Sequence, residues 1–172
     1  MVMAHEITVR PVQEGDLPDL CDILNEIIEI GGSTAYEGVF DCSRFSETFV
    51  SGDTCIVCLV ALVDGRPMGF QTLALYPTLP EGWADIGTFA RVTGKVKGIG
   101  SALFRHMQQH LRNNDSLSKS FTCLNASIRS DNQQGLSFYT KMGFEDYAID
   151  KAVTFENDKP IDRISKKYVL AH

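Results

Sequence analysis

The sequence predicts a mixed α/β fold, in which a central sheet of about seven strands packs against about four helices. Short apolar runs with strand-type residues alternate along the chain with stripes of helical period. The length of 172 residues suits one domain with a substantial core. No repeat, low-complexity tract or linker divides the chain, so we expect residues 1–172 to form a single domain.

The first half of the chain is expected to hold a strand, two helices and a hairpin. Residues 7–10 alternate in polarity and end at Pro11, and Asp16 and Pro18 are typical of a helix start. Apolar residues at helical spacing follow until Gly31. A second, short helix is predicted over 43–50, and the turn Asp64–Gly65 joins strands over 55–63 and 68–76.

The second half continues with strands and helices in alternation. We expect a strand over 86–92, a helix over 101–112 and a polar linker over 113–120. A strand over 121–128 and a helix over 132–142 follow, and Gly143 suits the end of that helix. Two closing strands, over 144–155 and 161–170, are joined by a turn at 157–160. The element order is β-α-α-β-β-β-α-β-α-β-β.

Composition narrows the class of function. Hydrophobic residues make up 44% of the chain and charged residues 22%, which is ordinary for a soluble globular protein. A net charge of -6 argues against nucleic-acid binding and suits a small-molecule enzyme or a cationic partner. No apolar run approaches the roughly 18 residues that span a bilayer, and the N-terminal residues lack a signal-peptide core. We therefore expect a cytoplasmic protein without membrane or nucleic-acid partners.

Metal binding is not expected. The five cysteines are an odd number in apolar surroundings, which favours reduced thiols in a cytosolic protein. Cys55 and Cys58 fall in one predicted strand and would face opposite sides. His106 and His110 have a spacing that permits metal binding on a helix, but no third ligand is evident.

A glycine-rich turn between the strand at 86–92 and the helix at 101–112 indicates an anion site. Gly98 and Gly100 allow close approach of the backbone, and the first N–H groups of the helix lack intrahelical partners. Lys95 and Lys97 add positive charge beside them. The alternative is an ordinary tight strand-to-helix turn.

Two motifs make the sequence resemble the GNAT superfamily of acyl-CoA-dependent N-acyltransferases. Residues 95–100 resemble the family's pyrophosphate loop, Gln/Arg-x-x-Gly-x-Gly/Ala, except that Lys95 replaces the first residue. Residues 132–139 resemble its second motif, Asn-x-x-x-x-x-Phe/Leu-Tyr, and Gly143–Phe144 follow as in the family. The resemblance implies the GNAT fold, with a splay between strands 4 and 5, and acetyl-CoA as co-substrate.

A closer resemblance is to the phosphinothricin acetyltransferase-like branch. It is carried by Asn25 near the end of the first helix, the loop Ser33–Thr34, and Asp85 at the start of the fourth strand. The branch often places arginines after its third strand to hold a substrate acid group, but residues 73–80 contain none. Recognition of acidic amino acids is therefore not expected.

The resemblance also implies roles for individual residues. A backbone N–H, best assigned to Ala90, would stabilise the carbonyl oxygen, and Tyr139 would protonate the leaving thiolate unless it is only a core aromatic. Asp85, directly or through water, is the leading general base, with Glu37 as the alternative; either could instead be a solvated surface carboxylate. The expected substrate-binding residues are Asn25, Thr34, Glu37 and Tyr76. The expected cofactor-binding residues are Phe89, Ala90, Arg91, Lys95, Val96, Lys97, Gly98, Ile99, Gly100, Ser101, Asn132 and Phe138, although Asn132 could simply cap its helix.

The expected function is transfer of an acetyl group from acetyl-CoA to a primary amine of a small molecule, such as an amino acid or analogue. No serine or cysteine lies in a nucleophile-elbow context, which favours direct transfer in a ternary complex. The alternatives are a polyamine or a protein N-terminus as acceptor, or an acyl-CoA-binding regulatory module without turnover. The closer relatives are commonly homodimers, so a homodimer is an expected assembly.

Overall fold

The computed structural model describes residues 4–154 and 159–171, and its centre is a seven-stranded mixed sheet. The order across the sheet is β1-β2-β3-β4-β5-β7-β6, and β4 and β5 alone run parallel among the paired strands of the described residues. This architecture confirms the predicted fold class. The strands are β1 (Ile7–Pro11), β2 (Cys55–Val63), β3 (Arg66–Ala74), β4 (Trp83–Ala90), β5 (Cys123–Arg129), β6 (Glu145–Val153) and β7 (Ile161–Val169).

Five α-helices accompany the sheet in the described ranges, one more than expected. They are α1 (Leu17–Ile30), α2 (Cys42–Ser46), α3 (Ile99–Asn113), α4 (Asp115–Ser120) and α5 (Gln133–Lys141). The additional helix is α4, which occupies the stretch predicted as a polar linker. Asn114 caps it by accepting the N–H of Leu117 at 3.1 Å, and Leu117 packs against the core. A single apolar residue leaves too little periodicity for sequence patterns to detect so short a helix.

The two faces of the sheet bury separate cores. On one face, α1 packs Leu20, Ile23 and Leu24 against aromatic residues and β2. On the other face, α3 packs Leu103 and Met107 against the strands and α5. The apolar stripes of both helices carry this packing, which fixes the N-terminus of α3 beside the end of β4.

The strand β4 ends at Ala90, two residues earlier than predicted, because the chain leaves the sheet there. A carboxylate oxygen of Glu26 on α1 accepts the N–H groups of Val92 and Thr93, each at 2.8 Å. Those amides therefore bind a helix side chain instead of continuing a strand ladder. The contact also anchors the start of the glycine-rich loop to α1.

The parallel strands β4 and β5 separate after three residue pairs. Trp83, Ala84 and Asp85 pair with Cys123, Leu124 and Asn125, and the pairing ends there. Beyond this point β4 continues to Ala90 while remaining paired with β3. A gap therefore opens in the middle of the sheet, as the resemblance implied.

The strand β6 closes the sheet as an exposed edge strand, and its pairing with β7 shifts register between Asp146 and Ala148. Both closing strands are present where the sequence predicted them. Phe155 and residues 157–158 of the predicted turn lie outside the described residues. In the described part of the chain, no helix combines the length and apolar character needed to cross a membrane.

Candidate active site

The gap between β4 and β5 opens into a cavity of about 500 Å³. Its walls come from the end of β4, the loop before α3, the first turns of α3 and α5, and the loop after α1. The cavity gathers most of the side chains and backbone segments that the sequence singled out: Thr34, Tyr76, Asp85, Phe89, Ala90, Arg91, Lys95, Val96, Lys97, Gly98, Ile99, Gly100, Ser101, Asn132, Phe138 and Tyr139.

Two predicted substrate-binding residues, Asn25 and Glu37, are not among the lining residues. The side-chain amide of Asn25 donates to the carbonyl of Phe40 at 2.9 Å and accepts its N–H at 2.8 Å. The amide of Asn25 therefore holds the loop after α1 in place by hydrogen bonds and does not line the cavity. The backbone carbonyl of Glu37 accepts a hydrogen bond from Arg44 at 3.2 Å. Of the two residues predicted as candidate bases, Asp85 lines the cavity and Glu37 does not.

The N-terminus of α3 forms the anion-binding end of the cavity. Gly98 precedes the helix with φ +94°, a left-handed conformation that side chains rarely adopt, so the loop turns sharply into the helix. The first N–H groups of α3, from Ile99 to Ser101, have no intrahelical acceptors. Lys95 and Lys97 are exposed at the rim. These donors and charges fit the diphosphate of CoA.

Gly100 sets the distance between α3 and α5. A Cβ atom on Gly100 would lie 2.7 Å from the ring of Phe138, closer than packed atoms tolerate. The missing side chain therefore lets the ring lie against the first turn of α3. Asn132 caps α5 by accepting the N–H of Gly135 at 2.9 Å, and its amide donates to the carbonyl of Ser33 at 3.3 Å. The capping role foreseen for Asn132 is therefore observed.

The backbone N–H of Ala90 is directed away from β3. The N–H of Arg91 donates to Met68 on β3 at 2.8 Å, and in an antiparallel ladder such donors alternate along the strand. The N–H of the residue before it must therefore point to the opposite side, where β5 has already separated. This directs a backbone donor of β4 into the gap, where it has no strand partner among the described residues.

The two residues that flank Ala90 differ from each other in their side-chain contacts. The guanidinium of Arg91 donates to the carbonyl of Pro67 at 3.0 Å and pairs with Asp19 at 3.3 Å, so its charge is held by other protein groups. The ring of Phe89 stacks on Phe70 with centroids 4.6 Å apart. Arg91 can therefore present backbone groups to a ligand, whereas its guanidinium is already paired. The ring of Phe89 forms part of the cavity wall.

Tyr139 is buried at 6% exposure, with its phenol oxygen 2.9 Å from the hydroxyl of Thr88 on β4. The side-chain amide of Gln71 donates to that same hydroxyl at 2.9 Å. Burial raises the pKa of Tyr139 above its usual range, and hydrogen bonds from Thr88 oppose the rise. The phenol therefore keeps its proton near neutral pH and is able to donate it.

Asp85 lies where the paired part of β4 ends. Burial raises the pKa of its carboxyl to about 6, while a hydrogen bond from Asn125 and the charge of Arg163 lower it. The amide nitrogen of Asn125 donates to Asp85 at 2.7 Å. A carboxylate with this pKa is a better proton acceptor at neutral pH than an ordinary aspartate.

The cavity wall beside Asp85 is aromatic. The ring of Tyr36 packs against Phe49 at 5.1 Å and Phe89 at 6.4 Å between centroids. Its hydroxyl interacts with Tyr76, and burial raises the pKa of both phenols. This end therefore presents rings and neutral hydroxyl groups beside one carboxyl group.

Sequence reasoning missed several polar residues around this centre, among them Gln71, Thr88 and Asn125. Gln71 and Asn125 are 0% and 3% exposed and lie inside otherwise apolar strands. A buried polar side chain in such a strand needs a hydrogen-bond partner. The presence of a polar residue in an apolar strand was therefore the signal that could have identified Gln71 and Asn125. Nothing in the sequence indicated which partner each would meet across the sheet.

The described residues contain no group of three or more His, Cys, Asp or Glu side chains that could hold a metal ion. One ring nitrogen of His106 lies 2.9 Å from the carbonyl of Ala102, one turn earlier on α3.

Sequence comparison identifies the class of protein. The profile of the Acetyltransferase (GNAT) family matches residues 18–144. Because the match covers more than half of the chain, the chain belongs to the GNAT family and is an acetyltransferase of that family. No curated protein sequence matches the chain significantly.

Solved structures show the same fold over almost the whole chain. An N-acetyltransferase from Staphylococcus aureus Mu50 superposes with a TM-score of 0.81 and 18% identity, covering 96% of this chain and 99% of the other. A ribosomal-protein-alanine N-acetyltransferase from Brucella melitensis gives 0.77 and 20%, covering 95% and 99%. A phosphinothricin acetyltransferase from Sinorhizobium meliloti, in complex with acetyl-CoA, gives 0.79 and 19%, covering 98% and 89%. The neighbours thus include the branch that the sequence resembles.

Proposed function

We propose that this protein transfers the acetyl group of acetyl-CoA to the primary amine of a small molecule, such as an amino acid or analogue. One observation supports the proposal above all others. A single cavity is lined by the N-terminus of α3, by Ala90 with its N–H directed into the gap, and by Asp85 and Tyr139. An anion site, a carbonyl-stabilising donor, a base and an acid are the parts that acyl transfer to an amine requires. We further propose that residues 1–172 form one catalytic domain.

Binding of acetyl-CoA is assigned to residues 95–101 and to the surfaces beside them. Backbone N–H groups at the start of α3 would hold the diphosphate, and Lys95 and Lys97 would add charge attraction. The other residues assigned to cofactor binding, Phe89, Arg91, Asn132 and Phe138, line the same cavity. The acetyl thioester would supply an activated acyl group at Ala90.

Three groups of the chain would then act on the transfer. Asp85, directly or through a water molecule, takes the proton of the amine, so that the nitrogen lone pair attacks the acetyl carbon. The N–H of Ala90 donates to the carbonyl oxygen as negative charge develops on it. As the carbon–sulfur bond breaks, Tyr139 donates its proton to the departing thiolate. The nitrogen loses its second proton to solvent to give the amide, and solvent restores the proton of Tyr139. Transfer is direct, with no acyl group on the protein.

Two alternatives use the same fold. The net charge of -6 suits a polyamine or protein N-terminus as acceptor, and one structural neighbour is a ribosomal-protein-alanine N-acetyltransferase. A regulatory module that binds acyl-CoA without turnover is the other. The presence of Asp85 and Tyr139 in one cavity favours catalysis over mere binding.

A thiol-release assay with acetyl-CoA and a panel of amines tests the proposal. Turnover with amino acids or their analogues supports it, whereas turnover only with spermidine or peptides selects the second acceptor class. Tight binding of CoA without thiol release on any amine shows a binding module. We also propose a cytoplasmic homodimer, and light scattering of the purified protein measures the assembly.

A further inference from the structure

Tyr147 lies at a β-bulge of the edge strand β6. The pairing of β6 with β7 changes register between Asp146 and Ala148, which leaves Tyr147 as the extra residue. A bulge bends the strand and changes the direction of the side chain that it carries. Here the phenol reaches past β7 to Asn125 on β5, and its ring packs edge-on against Trp83 at 5.3 Å between centroids.

The chemistry of the three groups fixes the direction of their hydrogen bonds. The amide nitrogen of Asn125 lies 2.7 Å from a carboxylate oxygen of Asp85, which accepts but cannot donate when ionised. The amide oxygen of Asn125 must therefore face Tyr147, and since that oxygen only accepts, Tyr147 donates its O–H to it. The order of donation runs from the phenol to the amide to the carboxylate. Asn125 also donates to the hydroxyl of Ser127 at 3.2 Å, which holds the amide in place.

This arrangement treats the two oxygens of Asp85 differently. Oδ1 accepts the amide of Asn125. Within residues 4–154 and 159–171, no group of the protein donates a hydrogen bond to Oδ2, and the side chain lines the cavity. Oδ2 is therefore the oxygen that remains for a ligand.

We propose that Tyr147 and Asn125 are positioning residues for acetyl transfer, which hold one oxygen of Asp85 and leave the other to receive the proton of the acceptor amine. The proposal rests on the proposed function, because it assigns Asp85 as the base. Tyr147 itself is 41% exposed on β6, so a residue at the edge of the sheet supports a group at its centre.

Other titratable and charged groups also face Asp85, and a test must separate their effects from that of Asn125. Burial is the largest influence and raises the pKa of Asp85 to about 6, while the amide of Asn125 and the charge of Arg163 oppose it. The guanidinium of Arg163 is itself paired with Asp150 at 2.7 Å. The phenols that interact with Asp85 from the surrounding elements are Tyr36, Tyr76, Tyr139 and Tyr147.

The decisive experiment is a ¹³C NMR titration of the Asp85 carboxyl, assigned with Asp85→Asn, in the parent protein and in Tyr147→Phe and Asn125→Leu. Loss of the donor raises the titration midpoint, by roughly half a unit in Tyr147→Phe and about one unit or more in Asn125→Leu. The acid limb of the kcat/KM profile for the amine moves to higher pH by the same amount, and KM for acetyl-CoA is unchanged. Tyr168→Phe is the matched control, because Tyr168 on β7 bonds Gln108 at 2.7 Å, away from this cavity, and both readouts should stay at parent values.

Identical Asp85 midpoints in the parent protein and Tyr147→Phe overturn the proposal. Tyr147 lies on an exposed strand, so this variant retains the fold even where Asn125→Leu unfolds, and thermal unfolding of each variant checks this. Shifted midpoints together with a parent protein that acetylates no amine overturn the proposed function, and with it the catalytic part of this proposal. The hydrogen-bonded chain would then stand without a role in transfer.

Discussion

The hydroxyl of Thr88 lies 2.9 Å from the phenol oxygen of Tyr139 and joins β4 to α5 at the gap in the sheet. Gln71 donates to the same hydroxyl, so a chain of three polar side chains leads from the buried Gln71 in the middle of β3 to the cavity. The side-chain oxygen of Gln71 has no hydrogen-bond partner among the described residues. A buried acceptor without a hydrogen-bond partner costs stability.

Tyr139→Phe is expected to lower kcat by about 10²-fold, because the leaving thiolate loses its proton donor. Acetyl-CoA affinity, measured by calorimetry, should not change, since the phenol acts on the reacting sulfur and not on the diphosphate. Tyr168→Phe serves as control, because its ring also packs against Phe144 and its phenol is hydrogen-bonded outside the cavity. An unchanged kcat would remove Tyr139 from the mechanism.

Thr88→Val keeps the shape of the side chain and removes the hydroxyl that serves both Gln71 and Tyr139. The free energy of unfolding should fall by about 1–3 kcal/mol, because the amide of Gln71 becomes a buried donor without an acceptor. Urea denaturation measures this. The double variant Gln71→Leu with Thr88→Val should recover part of the loss. The control Thr8→Val, at an exposed position of β1, should show no loss. A double variant less stable than Thr88→Val would contradict the chain of bonds described here.

Gly98→Val is expected to abolish acetyl-CoA binding. The left-handed backbone at φ +94° disfavours a branched side chain, by roughly 1–3 kcal/mol, and a shift there moves the first N–H groups of α3. Gly94→Val is the matched control: Gly94 has a similar φ of +71° in the same loop but does not precede the helix. Calorimetric titration should show binding by the control alone. Normal binding by Gly98→Val would place the diphosphate elsewhere.

Asp85 gives stability a distinctive pH dependence. Its pKa rises from an ordinary 3.8 to about 6 on folding, so the folded state binds the proton more tightly. The contribution of Asp85 to the free energy of unfolding is therefore fully present below pH 3.8 and is lost as pH rises through about 6. Asp85→Asn removes the buried charge and should be more stable than the parent protein at pH 8, by about 1–3 kcal/mol.

Urea denaturation of both proteins at pH 3.5 and pH 8 measures that difference, which should disappear at the lower pH. Equal differences at the two pH values would show that Asp85 does not titrate with a raised pKa. In the parent protein, kcat/KM for the amine should rise with pH through about 6, as the carboxyl loses its proton.

The fold could be read from the sequence because local patterns and global topology agree. Glycine at 98 marks the turn into α3, and the helical stripes of α1 and α3 match the faces that they bury. The helix α4 was missed because Leu117 alone anchors it. The early end of β4 depends on Glu26, which is far away in sequence and carries no local signal for this contact.

The candidate site was predictable where a motif carries its own geometry, as residues 95–101 do. Side-chain roles were harder, because they depend on contacts across the sheet. Asn25 stays a predicted substrate-binding residue, but its side-chain amide bonds the backbone of Phe40 in the structure. The guanidinium of Arg91 likewise pairs with Asp19, a contact that the sequence did not indicate. The sequence did not indicate that Tyr147 reaches Asn125, because the bulge that redirects its side chain arises from the pairing of β6 with β7.

The three residue pairs between β4 and β5 are the only ladder that joins the left and right halves of the sheet in the described part of the chain. Pairing between neighbouring strands is therefore weakest between β4 and β5. A ligand bound in the gap contacts both halves of the sheet and adds interactions between them. Occupancy of this pocket should consequently slow amide hydrogen exchange on strands that the occupant never contacts.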